Sequence, residues 1–170
     1  MNSPRTVYRP PLPGDALAML GVHHAAVQNV DRRHYSDDVI AAWSPPPDAS
    51  RRDWLADLIG RDSTLCTVAV SADEAIVGFC IALPEQGFLK ALYVHPDFTG
   101  QGIGQGLLQL KETQCRDLGL VALEVNASFN AAAFYRRNGY EALGPVSQHL
   151  TDTVAMGAIR MVKRLGSKTP

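Results

Sequence analysis

Charge is scarce in this chain and nearly balanced: charged residues fill 19% of its 170 positions and the formal net charge is -1. No global basic field is present to recruit nucleic acid or an anionic membrane surface. Cysteine is equally scarce. Cys66, Cys80 and Cys115 are far apart, odd in number and without a CxxC spacing or nearby histidine pair. Neither a disulfide framework nor a zinc site is expected, and the three thiols read as buried and inert. No apolar run approaches membrane-spanning length, and Met-Asn-Ser-Pro-Arg at the N-terminus lacks the apolar stretch of a secretory leader. These absences point to a cytoplasmic protein without a metal. With 46% hydrophobic residues, the chain is long enough to bury a core as a single domain spanning residues 1–170.

What the sequence does contain is a clear order of patterns. Thr6 to Arg9 reads as a short strand closed by Pro10, Pro11 and Pro13. Asp15 is expected to cap a helix carrying Leu17, Leu20 and Val27 inward. Ser36 opens a second helix with Val39, Ile40 and Trp43 inside, broken at Pro45 to Pro47. Ser50 to Asp53 matches a capping box for a third, with Trp54, Leu55, Leu58 and Ile59 as its stripe and Gly60 as its end. Strand patterns follow over Thr64 to Val70, Ala75 to Leu83 and Phe88 to Val94. A further helix places Ile103, Leu107, Leu108, Cys115 and Leu118 inside and Lys111, Glu112, Arg116 and Asp117 outside. Then come a strand over Leu120 to Val125, a short helix over Ala131 to Asn138, and strands near Tyr140 to Val146 and Val154 to Leu165. The expected fold is α/β (α+β): one mixed, mostly antiparallel sheet of about seven strands with helices on both faces.

The densest signal is Thr99-Gly100-Gln101-Gly102-Ile103-Gly104-Gln105-Gly106, between a strand and an amphipathic helix. Glycines allow positive φ and close approach of a ligand to the backbone, and a helix start offers unpaired N–H groups to a phosphate. Two nucleotide families fail on spacing. Neither Gln105 nor Leu107 is the third glycine of a G-x-G-x-x-G fingerprint, and no Gly-Lys-Ser/Thr closes a P-loop.

The run from Leu92 to Leu108 resembles the acetyl-coenzyme A motif of the GNAT (GCN5-related N-acetyltransferase) superfamily. Its pattern [R/Q]-x-x-G-x-[G/A] falls on Thr99, Gly102 and Gly104, with Thr99 replacing the usual arginine or glutamine. A frame shifted to Gln101, Gly104 and Gly106 also fits the pattern but would carry the loop into the helix. Farther on, Leu123 to Ser128 followed by Phe134-Tyr135-Arg136-Arg137-Asn138-Gly139-Tyr140 is similar to the second block of that family. His34-Tyr35-Ser36 with Ala42-Trp43 is similar to a stand-alone bacterial branch, so the resemblance covers roughly residues 5–165.

The resemblance implies a splay between the fourth and fifth strands, filled by the pantetheine arm. The cofactor contacts it implies are Leu92, Tyr93, Val94, Thr99, Gly100, Gln101, Gly102, Ile103, Gly104 and Gln105. Asn126, Ser128 and Asn130 are either further contacts or caps of the following helix. Tyr135 would donate a proton to the departing thiolate; the alternative is a core tyrosine. The strand where many relatives carry a catalytic carboxylate has Lys90 instead, which makes Glu124 the substitute general base, set against a plain solvated glutamate. His34 and Tyr35 are expected to shape the acceptor pocket, His95 to be structural, and Trp43 and Trp54 to be core anchors. The implied activity is acetyl-CoA-dependent transfer to a primary amine of a small molecule or peptide, by a chain that is a candidate homodimer and binds neither nucleic acid nor membrane. The other readings are a non-catalytic acyl-CoA sensor and, disfavoured by the -1 charge, a tRNA-acetylating toxin.

Overall fold

The computed structural model describes residues 6–166; the reading of the N-terminal five residues as no secretory leader lies outside them. The strands are β1 (Val7–Arg9), β2 (Leu65–Val70), β3 (Ile76–Leu83), β4 (Phe88–Val94), β5 (Ala122–Ala127), β6 (Glu141–His149) and β7 (Ala155–Arg164). The helices are α1 (Ala16–Gln28), α2 (Asp37–Trp43), α3 (Ala49–Ile59), α4 (Ile103–Asp117) and α5 (Ala132–Arg137). All seven strands form one sheet in the order β1-β2-β3-β4-β5-β7-β6. Every neighbouring pair is antiparallel except β4 and β5, which run parallel with α4 as the crossover between them.

That parallel pair is short. It holds only at Phe88 with Glu124 and Leu89 with Val125. Beyond Leu89 the two strands part, so the main chain of Leu92 to Val94 has no ladder partner on the β5 side. This is the expected splay. On the other edge of β4 the register with β3 slips between Ile81–Ala91 and Ala82–Leu89, leaving Lys90 as an extra, bulged residue.

Two layers of helix cover the sheet. Ile103, Leu107, Leu108 and Cys115 of α4, with Ala132 and Tyr135 of α5, pack on one face against Val77, Cys80, Leu89, Leu123 and Met161. On the opposite face Met19 and Leu20 of α1 and Leu55 and Leu58 of α3 pack against Val68, Phe79 and Ile81. Gly78 of β3 lets α4 approach closely: a Cβ there would lie 3.1 Å from the Tyr93 carbonyl oxygen and 3.2 Å from a Leu107 methyl.

Several local expectations are corrected. The cap of α3 is Asp48, whose carboxylate accepts from the Arg51 N–H at 2.8 Å, rather than Ser50. Asp15 does not cap α1; its carboxylate turns back to accept from the Leu12 N–H at 2.7 Å and from Arg9 at 2.6 Å. Leu17, Leu118 and Trp54 are exposed rather than inward. Lys111 and Glu112 are buried instead of outside. The Lys111 ammonium donates to Thr67 Oγ1 at 2.7 Å and Gln114 Oε1 at 2.6 Å, and Glu112 accepts from Lys163 at 2.7 Å.

Candidate functional site

Gly102 is the N-cap of α4, in a left-handed conformation with φ 79°, and Gly100 shares that conformation at φ 77°. The first hydrogen bond of the helix runs from the Gly106 N–H to the Gly102 carbonyl at 2.9 Å. The N–H groups of Gly102, Ile103, Gly104 and Gln105 therefore have no acceptor in the protein. Together with the positive end of a 15-residue helix they form an anion cradle. A Cβ at Gly106 would come within 2.8 Å of the Tyr8 ring, so Gly106 is small to admit β1, and the unshifted motif frame is the one at the helix start.

This turn forms the wall of a cleft of about 660 Å³ that continues along Leu92, Tyr93 and Val94 to Phe134 and Tyr135. Of the residues expected to hold the cofactor, Thr99, Gly100, Gly102, Ile103, Gly104, Gln105, Ser128 and Asn130 line it, whereas Gln101 does not and Asn126 lies on a second pocket. The Thr99 hydroxyl donates to the Pro96 carbonyl at 2.9 Å, closing the approach to the turn. No side chain caps α5, so Ser128 and Asn130 are not engaged as its caps. Sequence reading missed Arg137, which lines the same cleft from the end of α5 without a carboxylate within salt-bridge reach among the described residues.

The second pocket, about 530 Å³, opens between α1, α3, β4 and the end of β6. It meets the first at Trp43, Leu92, Tyr93, Ser128, Ala131 and Tyr135. Tyr135 is buried, and burial holds its phenol well above the ordinary tyrosine range, so it stays protonated at neutral pH. Beside it, burial also raises Tyr93 to about 12, and the Tyr93 hydroxyl accepts from the Trp43 indole at 3.1 Å. His23 stands edge-on to Tyr93 with ring centroids 4.4 Å apart. Burial first, then the nearby Arg51 and His24, lower its pKa to about 4, which keeps the imidazole neutral.

Other expected site residues lie elsewhere. His34 is exposed, and neither it nor Tyr35 lines either pocket. Tyr35 instead ties three segments together: its hydroxyl donates to the Gly157 carbonyl at 2.7 Å and accepts from the Phe129 N–H at 2.8 Å. Glu124 is held by Arg160 at 2.7 Å, at the closed end of the splay and off both pockets. His95 accepts from the Asp97 N–H, as a structural turn residue does. Trp43, read as a core anchor, is shared by both pockets, and Trp54 lines the second along with His23 and His149. The signal missed is tertiary, since these residues come from elements far apart in the chain. Burial raises the thiols of Cys66 (to about 12), Cys80 and Cys115, so none is an activated nucleophile.

A family model for the acetyltransferase (GNAT) domain matches residues 32–156. The chain belongs to the GNAT family. Its fold is similar to that of a GCN5-related N-acetyltransferase from Rhodopseudomonas palustris, with 27% identity, TM-score 0.83, and 96% of this chain and 97% of that one covered. It is also similar to a PaiA N-acetyltransferase from Thermoplasma acidophilum in complex with coenzyme A (21% identity, TM-score 0.74, 94% and 99% covered). A third likeness is to a phosphinothricin acetyltransferase from Sinorhizobium meliloti in complex with acetyl-CoA (18%, TM-score 0.70, 95% and 89%). Among curated proteins none matches the chain. Among the described residues, no group of three or more His, Cys, Asp or Glu side chains is placed to hold a metal ion, and no helix is long and apolar enough to cross a membrane.

Proposed function

We propose that this GNAT protein transfers an acetyl group from acetyl-CoA to a primary amine of a small molecule or peptide, by direct attack on the thioester. The observation that carries the reading is the meeting of two pockets at Tyr135, one walled by the glycine turn and the other lying away from that turn. The residues fit the cofactor. Four unpaired amides from Gly102 to Gln105 suit a pyrophosphate, Arg137 adds a cation, and the free β4 edge from Leu92 to Val94 offers main-chain hydrogen bonds to an amide-bearing arm.

Acetyl-CoA supplies the activated acetyl group. The protein positions the amine nitrogen against its carbonyl carbon, so that the C–N bond forms as the C–S bond breaks. The Val94 end of β4 directs backbone dipoles at the carbonyl oxygen. Tyr135 donates its phenolic proton toward the leaving sulfur, and the proton lost by the nitrogen leaves through the second pocket to solvent. A lysine-like amine of pKa ~10.4 is a free base in only about one molecule in 10³ at neutral pH, a handicap of roughly 4–5 kcal/mol. Glu124, occupied by Arg160, is not assigned to remove that proton. The pocket instead weakens the ammonium form, because Arg51 and Lys90 on its walls disfavour a third positive charge.

The test is turnover. Purified protein is expected to bind acetyl-CoA and to release CoA thiol in the presence of an acceptable amine. Tyr135→Phe is expected to lower kcat by roughly 10²-fold with little change in acetyl-CoA affinity. An unchanged kcat, where chemistry is rate-limiting, removes Tyr135 from the mechanism. Binding without turnover on any amine supports the sensor reading instead.

A further inference from the structure

The second pocket has an uneven charge inventory. Arg51, Lys90, His23 and His149 line it, and no aspartate or glutamate does. Neither cation has a carboxylate within salt-bridge distance among the described residues, whereas Arg9, Arg32, Arg33, Arg52, Arg61 and Arg160 each have one. The Arg51 guanidinium donates to the Pro45 carbonyl, which leaves its charge unneutralised. Lys90 is the bulged residue of β4, and its ammonium stands 6.0 Å from the centre of the Trp54 ring on α3. Leu55, Leu58, Phe79 and Ile81 supply apolar surface to the same lining.

We infer that the acceptor is a small amino carboxylate with an apolar body, its carboxylate seated on Arg51 and Lys90 and its amine directed at Tyr135; this rests on the acetyl-transfer reading above. Lys90 lies two residues, or ~7 Å of extended chain, from Leu92 on the shared wall. A molecule carrying both groups spans that distance with the lysine side chain reaching toward it. Opposite charge fixes the orientation: the carboxylate binds at the cationic mouth, and the same cations repel an ammonium and so favour the neutral amine that reacts. A pocket of about 530 Å³ is of small-molecule size. A polycationic amine meets Arg51 and Lys90 there with no carboxylate on the pocket wall to offset them.

The experiment compares matched acceptors: leucine, methionine and phenylalanine, each against its carboxamide, with spermidine as the polycationic control. Transfer is read as CoA thiol release. In parallel, tryptophan fluorescence, to which Trp43 and Trp54 on the pocket wall both contribute, titrates the N-acetyl amino acids and their amides into CoA-loaded protein. At least one acid is expected to exceed its amide by roughly tenfold or more in kcat/KM and in product affinity. Lys90→Met and Arg51→Gln should each bring that acid toward its amide while acetyl-CoA affinity, which reports folding, is retained. If the acids bind preferentially and this is lost in both variants, yet no transfer occurs, the charge assignment stands and the acetyl-transfer reading fails. Absence of any acid preference in both measurements, or preference for spermidine, overturns the inference.

Discussion

Gly102 and Gly106 stand one helical turn apart and are glycine for different reasons. Gly102 needs its positive φ of 79° to turn the chain into α4 and expose the cradle amides, and a Cβ there would meet no atom within 4 Å. Gly106 has ordinary helical geometry but faces the Tyr8 ring. Gly102→Ala is therefore expected to weaken acetyl-CoA binding by roughly tenfold, reflecting the ~1–2 kcal/mol cost of a left-handed alanine. Gly106→Ala is expected to lower the unfolding midpoint while leaving that affinity closer to the parent. Isothermal titration and urea unfolding of the pair separate the two roles. The sequence contained the glycines but not the reason for each, because Tyr8 precedes Gly106 by almost a hundred residues. Tyr135 was singled out by the family resemblance of the Phe134-Tyr135 block, and it lines both pockets. His23 and Trp54 were not, because nothing in their neighbours places them on a pocket wall.

At the scale of elements, α4 is the piece that matters most, since it begins at the cradle and packs over the sheet centre. Its contact with β3 depends on Gly78. Gly78→Val would press against the Tyr93 carbonyl and the Leu107 and Ile103 side chains, which lie 3.1–3.3 Å from an added Cβ. A loss of ~1–3 kcal/mol of stability is expected from such overpacking, measured by urea denaturation. Acetyl-CoA affinity should fall as well, because Ile103 belongs to the cradle. Periodicity found α4 and its apolar stripe but placed Lys111 and Glu112 outside. Their partners are 44 and 51 residues away, at Thr67 and Lys163. Charged residues are assigned to solvent by default, and only the folded chain supplies the hydrogen bonds that permit burial. Helix starts were similarly half-legible: Ser36 caps α2 as expected, accepting from the Val39 N–H, while Asp48 rather than Ser50 caps α3.

For the whole molecule, His23 couples pocket and stability. Its pKa of about 4 in the folded protein lies below the ordinary 6.5. The unfolded chain therefore binds more protons between those values, and stability falls as pH drops from about 6.5 toward 4. Protonating the buried ring therefore costs up to ~3 kcal/mol of stability, reached as pH falls through that window. Unfolding free energy measured at pH 7 and pH 4.5 should differ less in His23→Gln than in the parent. Equal differences would remove His23 from the acid response. The sheet was legible because strand patterns are local signals, and its splay only through the family resemblance that the glycine turn and the Phe134-Tyr135 block carry. The second pocket was not, because α1, α3, β4 and the end of β6 each supply a part and none carries a motif.

The shared wall of Trp43, Leu92, Tyr93, Ser128, Ala131 and Tyr135 has a consequence for how such a protein changes. Outside that wall, α3 and the end of β6 touch only the second pocket, and the glycine turn touches only the first. Under the proposed acetyl transfer, replacements at Arg51, Trp54, Lys90 or His149 are expected to redraw acceptor choice without rebuilding the first cleft, and a library confined to those four positions tests this as new acceptors at unchanged acetyl-CoA affinity.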